Sequence, residues 1–113
     1  MRLGLIGDGR AARALAPLLH EAGAPLTWRW RRGEAVPITS LEPVDVVLVA
    51  VSDDGIAEVA SRLAERSSAA DEIWLHLSGA LPANVLRVTP ERPGAVGTLH
   101  PMVALPGEGA SRE

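Results

Sequence analysis

Short apolar runs alternate along the chain with stretches of helical spacing. Residues 2–6 (RLGLI) form an apolar run that leads into a glycine turn, which is typical of a buried parallel strand. Residues 10–22 predict an amphipathic helix that ends at Gly23 and is kinked or weakened by Pro17. The apolar face of this helix is expected to contain Ala11, Leu15, Leu18 and Leu19.

The middle of the chain contains two further candidate strands. Residues 26–30 (LTWRW) predict a strand with Leu26, Trp28 and Trp30 on one side. Residues 33–43 contain two prolines and little periodicity, so we expect mostly loop there. Residues 44–51 (VDVVLVAV) are almost continuously apolar, which predicts the central strand of a sheet.

The second half of the chain repeats the same alternation. Asp53 or Asp54 is expected to cap a helix with apolar residues at Ile56, Val59, Ala60 and Leu63. Residues 73–77 and 95–99 predict two more strands, and residues 82–88 predict a short helix at most. We expect a domain over residues 1–106 and a disordered tail or truncated linker over residues 107–113.

Strands that alternate with helices predict an α/β fold with a doubly wound, mainly parallel sheet of about five or six strands. The 113 residues, 47% of them hydrophobic, suffice for a single domain and are too few for two. Ligands of such sheets bind beyond the carboxyl ends of the strands. No signal-peptide pattern and no apolar run of about 18 residues is present, so we expect a cytoplasmic protein without a membrane partner.

Composition narrows the possible chemistry further. Cysteine is absent and the three histidines are scattered, so we expect neither a thiolate site nor a bound metal. Every basic residue is an arginine, with a dense group at Arg29, Arg31 and Arg32. This group suits a small anionic ligand better than a nucleic acid, which calls for a broad basic face.

The first predicted strand is followed by a glycine turn that can bind phosphate. Residues 7–12 (GDGRAA) have the form G-x-G-x-x-A between a strand and a helix. Gly7 permits a tight turn, Gly9 lets the backbone approach a pyrophosphate, and Ala12 allows close packing of helix on strand. The pattern therefore predicts a dinucleotide site of the Rossmann type, with a glycine turn needed only for packing as the alternative. Asp8 is expected to face solvent or to bond the turn backbone.

The end of the second strand favours NADP over NAD. An acidic residue there would bind the ribose 2′-hydroxyl, whereas arginine pairs with a 2′-phosphate. This chain has Arg31 and Arg32 at that point and no acid before Glu34. Neighbouring arginines point in different directions, so only one needs to reach the phosphate. The alternatives are a solvated charged turn, or stacking of Trp30 or one arginine on the adenine.

Four segments together resemble a known family. They are residues 7–16 (GDGRAARALA), 49–56 (VAVSDDGI), 76–81 (HLSGAL) and 97–102 (GTLHPM). In order and spacing they resemble the Rossmann-like proteins that carry an uncharacterised helical C-terminal domain, relatives of pyrroline-5-carboxylate reductase described as NADP oxidoreductases. The resemblance extends to about Pro106.

The resemblance implies roles for particular residues. Those expected to hold the pyrophosphate are Gly7, Gly9, Arg10 and Ala12, with Arg32 or Arg31 on the adenosine phosphate. Those expected to line the cofactor after the central strand are Val51, Ser52 and Asp53. Those expected to border the nicotinamide are His76, Ser78 and Gly79, with His100 and Pro101 near the domain junction.

The chain also departs from the family. Ser52 stands where the family usually has proline, and residues 33–43 are shorter than usual, so the helix between the second and third strands is expected to be absent. The helical domain that would complete the substrate pocket and the dimer is not in these residues, although an exposed sheet face or edge favours a homodimer.

Two functions follow as hypotheses. The first is hydride transfer between NADPH and a small C=N or C=O substrate, with this chain binding the cofactor. The second is a non-catalytic nucleotide-binding or scaffolding module. His100 is a candidate general acid and His76 is more typical of a satisfied core residue. Ser78 has no evident base partner, so a hydrolase is not supported.

Overall fold

The five strands form one parallel sheet in the order β2-β1-β3-β4-β5 in the computed structural model, which describes residues 1–99. The strands are β1 (Leu3–Ile6), β2 (Leu26–Trp30), β3 (Val46–Val49), β4 (Ile73–His76) and β5 (Ala95–Thr98). The α-helices are α1 (Arg10–Glu21) and α2 (Ile56–Leu63). Strand β3 is central, as its continuous apolar sequence predicts.

The sheet is covered on both faces, which confirms the doubly wound α/β architecture. On one face α1 packs over Leu5 and Leu48 through Ala12 and Leu15. On the other face α2 and three 3₁₀ turns contribute to a larger cluster that contains Trp74, whose side chain is fully buried. Each strand alternates between these faces because successive side chains point to opposite sides of a sheet.

Three local expectations are corrected by the structure. The buried side of α1 is formed by Ala12 and Leu15 rather than by Ala11, while Pro17 lies inside the helix as expected. Leu26 packs on the α1 face, opposite Trp28 and Trp30, because the pairing of β1 with β2 shifts register between Leu3 and Gly4. A bulge of this kind reverses the alternation of side chains at one point of a strand.

The third correction concerns the start of α2. Asp53 and Asp54 form a 3₁₀ turn with Gly55, and neither side chain caps the helix, which follows directly at Ile56. The Ser52 hydroxyl instead donates a hydrogen bond of 2.9 Å to Asp54 Oδ1. The connection between β2 and β3 contains a 3₁₀ turn at Ile38–Ser40 and no α-helix, as its prolines predict.

A buried ion pair fixes the other end of the sheet, where the parallel strands begin. Arg66 donates two hydrogen bonds of 2.7 Å to the carboxylate of Glu72, just before β4. The same carboxylate accepts bonds from the backbone of Val44, just before β3, and from the indole of Trp74. Both side chains are almost fully buried, and the pair ties the segment after α2 to two strand starts. Among residues 1–99, no helix is long and apolar enough to cross a membrane.

Candidate functional site

Gly7 ends β1 in a conformation that only glycine adopts readily. Its φ is +128°, and a Cβ at this position would lie 2.4 Å from the carbonyl oxygen of Ala50. The Gly7 amide donates a 2.8 Å hydrogen bond to the carbonyl of Trp30. The end of β1 therefore contacts the ends of both neighbouring strands, and this close approach requires glycine for packing alone.

Gly9 differs from Gly7 because the fold makes no such demand on it. Its φ of −77° is open to any residue, and it directly precedes α1. A Cβ built on Gly9 meets no atom of the described chain within 4 Å. The space beside Gly9 is thus left open at the point where the first amides of α1 have no partner within the helix. A cradle that a Cβ would partly fill is what a glycine turn around a pyrophosphate provides.

A pocket of about 440 Å³ opens beside this turn. Its lining includes five of the predicted cofactor residues, namely Gly7, Gly9, Arg32, Val51 and Ser52. It lies at the carboxyl ends of β1, β2 and β3, where the chain order reverses between β1 and β3. Ligands bind at this switch point in open α/β sheets.

The two neighbouring arginines after β2 have different surroundings. Arg32 lines the pocket, and its Nη2 lies 3.6 Å from the position of a Cβ on Gly55 at the start of α2. Arg31 is directed to the loop instead, where its Nε lies 3.5 Å from a carboxylate oxygen of Glu34. Arg32, and not Arg31, therefore lines the pocket beside the glycine turn, while Arg31 lines a more open depression next to Asp8 and Arg32.

Two further arginines support the turn through its carbonyls. Arg13, on the first turns of α1, donates a 3.0 Å hydrogen bond to the carbonyl of Asp8. Arg29 lies 3.5 Å from the carbonyl of Gly7 through its Nε. The Asp8 side chain is exposed at the rim of the pocket. These two contacts hold the carbonyls of the turn in place beside the pocket.

The remaining predicted residues do not line this pocket. Arg10 is exposed on the first turn of α1, and Ala12 is fully buried under that helix as close packing requires. Asp53 is exposed in the 3₁₀ turn after Ser52. Gly79 is exposed in the loop after β4.

His76 is fully buried, and both nitrogens of its ring have partners. The amide of Ser78 donates to Nδ1 at 3.1 Å, so the 2.9 Å contact between Nε2 and the carbonyl of Pro82 requires the proton on Nε2. The Ser78 hydroxyl accepts bonds from the amides of Ala80 and Leu81. Both side chains therefore shape the loop after β4, as the core interpretation of His76 predicts.

Some predictions fall outside the described residues. These are the candidate acid His100, its neighbour Pro101, and the boundary at residue 106 with the tail beyond it. Within residues 1–99, no three histidine or acidic side chains cluster as a metal site would require.

Sequence reasoning missed Arg62 and Glu58. Both lie on α2 and line a second pocket that adjoins the first. Their separation of four residues places them on the same face of a helix, which the sequence does show. That this face borders the end of β2 depends on tertiary packing and has no local signal.

Comparison with known proteins identifies the fold. No protein-family profile and no curated protein matches the chain. The solved structure of a Bacteroides fragilis protein described as a "putative NADP oxidoreductase" superimposes with a TM-score of 0.65 at 20% sequence identity. The match covers 76% of this chain and 39% of that protein, so this chain corresponds to well under two thirds of its length. At this identity the likeness shows a Rossmann-like α/β fold.

Proposed function

We propose that this chain is the NADP-binding domain of an oxidoreductase. The single observation that carries the proposal is Gly9, which has an ordinary φ and open space where a Cβ would be. A glycine that the fold itself does not need, placed at a helix start beside an open pocket, is accounted for by a ligand that approaches the backbone.

The residues around the pocket fit a phosphorylated dinucleotide. The turn that leads through Gly9 into α1 would hold the diphosphate through the first amides of that helix and its positive end. Arg32 would pair with the adenosine 2′-phosphate at the far side of the pocket. Val51 and Ser52, which follow β3, would line the cofactor between these points.

The chemistry that we propose is hydride transfer between the nicotinamide and a small C=N or C=O substrate. The bound cofactor supplies the hydride, and this chain binds and orients it. The name of the Bacteroides fragilis protein supports an NADP-dependent reaction of this general kind. A kinship with pyrroline-5-carboxylate reductase, a helical substrate domain and a homodimer belong to the same proposal.

A second candidate function is a nucleotide-binding module without catalysis. The observation that favours it is that His76 and Ser78, both predicted beside the nicotinamide, are committed to hydrogen bonds within the loop after β4. Side chains that are bonded in this way hold a loop in place and are not free to exchange protons with a substrate.

A titration of the purified chain with NADPH, NADH and ADP-ribose tests the binding proposal. Calorimetry should give a dissociation constant for NADPH about tenfold or more below that for NADH, because one charge-assisted contact is worth about 1.5–3 kcal/mol. Failure of all three to bind would refute both candidate functions. Oxidation of NADPH in the presence of small cyclic imines or ketones, assayed with a helical substrate domain joined to this chain, would then distinguish the enzyme from the binding module.

A further inference from the structure

A second pocket continues the first one along the side of α2. Its volume is about 370 Å³, and it shares Trp30, Arg32 and Val59 with the pocket beside the glycine turn. The residues that it adds are Ile38, Glu58 and Arg62. The two pockets therefore form one groove that runs from the glycine turn past Arg32 to the exposed face of α2.

Three of the six residues that line this second pocket are apolar and held in place by the fold. The indole of Trp30 donates a 2.7 Å hydrogen bond from Nε1 to the carbonyl of Val36, which sets the ring position. Ile38 and Val59 are buried in the adjoining core. Three charged groups complete the lining, two guanidinium groups and one carboxylate.

Neither guanidinium of the groove is neutralised by an acidic partner in the described part of the chain. Within residues 1–99, the ion pairs with a nitrogen–oxygen distance below 4 Å are Arg31 with Glu34 and Arg66 with Glu72. Arg32 and Arg62 are both exposed at the groove and belong to neither pair. Glu58 lies one helical turn before Arg62 and lines the same pocket, so one negative charge also borders the groove.

We propose that Arg62 is a second residue that determines specificity for the adenosine 2′-phosphate, opposite Arg32. This inference rests on the proposed function. A phosphate monoester carries a charge of about −1.5 to −2 at neutral pH, which a single guanidinium does not balance. Arg31 is occupied by Glu34, so the second positive charge comes from α2. Glu58 opposes the phosphate and favours a free 2′-hydroxyl, which donates a hydrogen bond to a carboxylate.

The test compares two small ligands that differ only in the 2′-phosphate, adenosine 2′,5′-bisphosphate and adenosine 5′-monophosphate. Arg62→Gln should weaken the bisphosphate by about tenfold and the monophosphate by less than about twofold. Glu58→Gln should act in the opposite direction and tighten the bisphosphate by about two- to fivefold. Arg31→Gln, a change at a neighbouring surface arginine, is the matched control and should leave both affinities within about twofold.

The outcomes separate this inference from the proposed function. If Arg32→Gln weakens binding of the bisphosphate alone and Arg62→Gln does not, the role proposed for Arg62 is wrong and the nucleotide site stands. Equal weakening of both ligands by Arg62→Gln would also overturn the role. If the unmodified chain binds neither ligand, the proposed function and this inference fail together. Urea unfolding midpoints check that each exposed substitution leaves the fold intact.

Discussion

Replacement of Gly7 by alanine tests how tightly the glycine turn is built into the sheet. The φ of +128° is one that residues with a Cβ rarely adopt, and such backbone strain costs about 1–3 kcal/mol. The new Cβ would lie 2.4 Å from the carbonyl oxygen and 2.9 Å from the carbonyl carbon of Ala50. Ala50 cannot retreat freely, because its amide donates a 2.8 Å hydrogen bond to the carbonyl of Ile6.

The overlap with Ala50 adds a second cost. Forcing extra volume into a packed site costs about 1–3 kcal/mol, so Gly7→Ala should lower the free energy of unfolding by about 2–6 kcal/mol in total. Against a typical total of about 5–15 kcal/mol, that loss is severe. The assay is equilibrium urea unfolding, followed by the fluorescence change on exposure of the buried Trp74.

Gly23→Ala is the matched control for the backbone term alone. Gly23 has a φ of +81°, and a Cβ on it meets no atom of the described chain within 4 Å. This variant should therefore lose only about 1–2 kcal/mol. A Gly7→Ala variant no less stable than Gly23→Ala would refute the contact with Ala50 as the reason for glycine at position 7.

Two further predictions concern the scaffold on either side of the site. Glu72→Gln removes the charge that balances buried Arg66 and should lower the free energy of unfolding by about 3–5 kcal/mol, measured in urea. The nucleotide affinity of the folded protein should not change, since the pair lies where the strands begin; a parallel loss of affinity would contradict this separation. Ser78→Ala removes an acceptor for two loop amides and should cost about 1–3 kcal/mol, with faster amide exchange at Ala80 and Leu81. Unchanged exchange at those two amides would count against the turn that we describe.

The fold was largely predictable because its signals are local. The apolar run of residues 44–51 and the spacing of Ile56, Val59 and Leu63 identify β3 and α2 without knowledge of the rest of the chain. The side assigned to Leu26 was wrong because a register shift depends on the partner strand. The expected cap at Asp53 or Asp54 was wrong because the chain forms a 3₁₀ turn before the helix begins.

The parts of the site that a sequence motif defines were predictable, whereas the parts that depend on tertiary packing were not. The spacing of Gly7 and Gly9 identifies the turn, since the G-x-G-x-x-A motif between a strand and a helix is a local feature of the sequence. The sequence could not choose between Arg31 and Arg32, because the choice depends on side-chain direction after β2. Arg62 lies 30 positions beyond Arg32 and reaches the groove only through the packing of α2.

The central claim, that the turn cradles a diphosphate, is tested most directly by the NADPH affinity of a Gly9→Ala variant. Because the φ of Gly9 is −77° and the space beside it is open, the substitution should lower the free energy of unfolding by no more than about 1 kcal/mol, the usual cost of alanine at an N-cap. The added methyl group would stand where the diphosphate approaches, so calorimetry should show NADPH binding weakened by about tenfold or more. NADPH affinity equal to that of the unmodified chain would contradict the cradle.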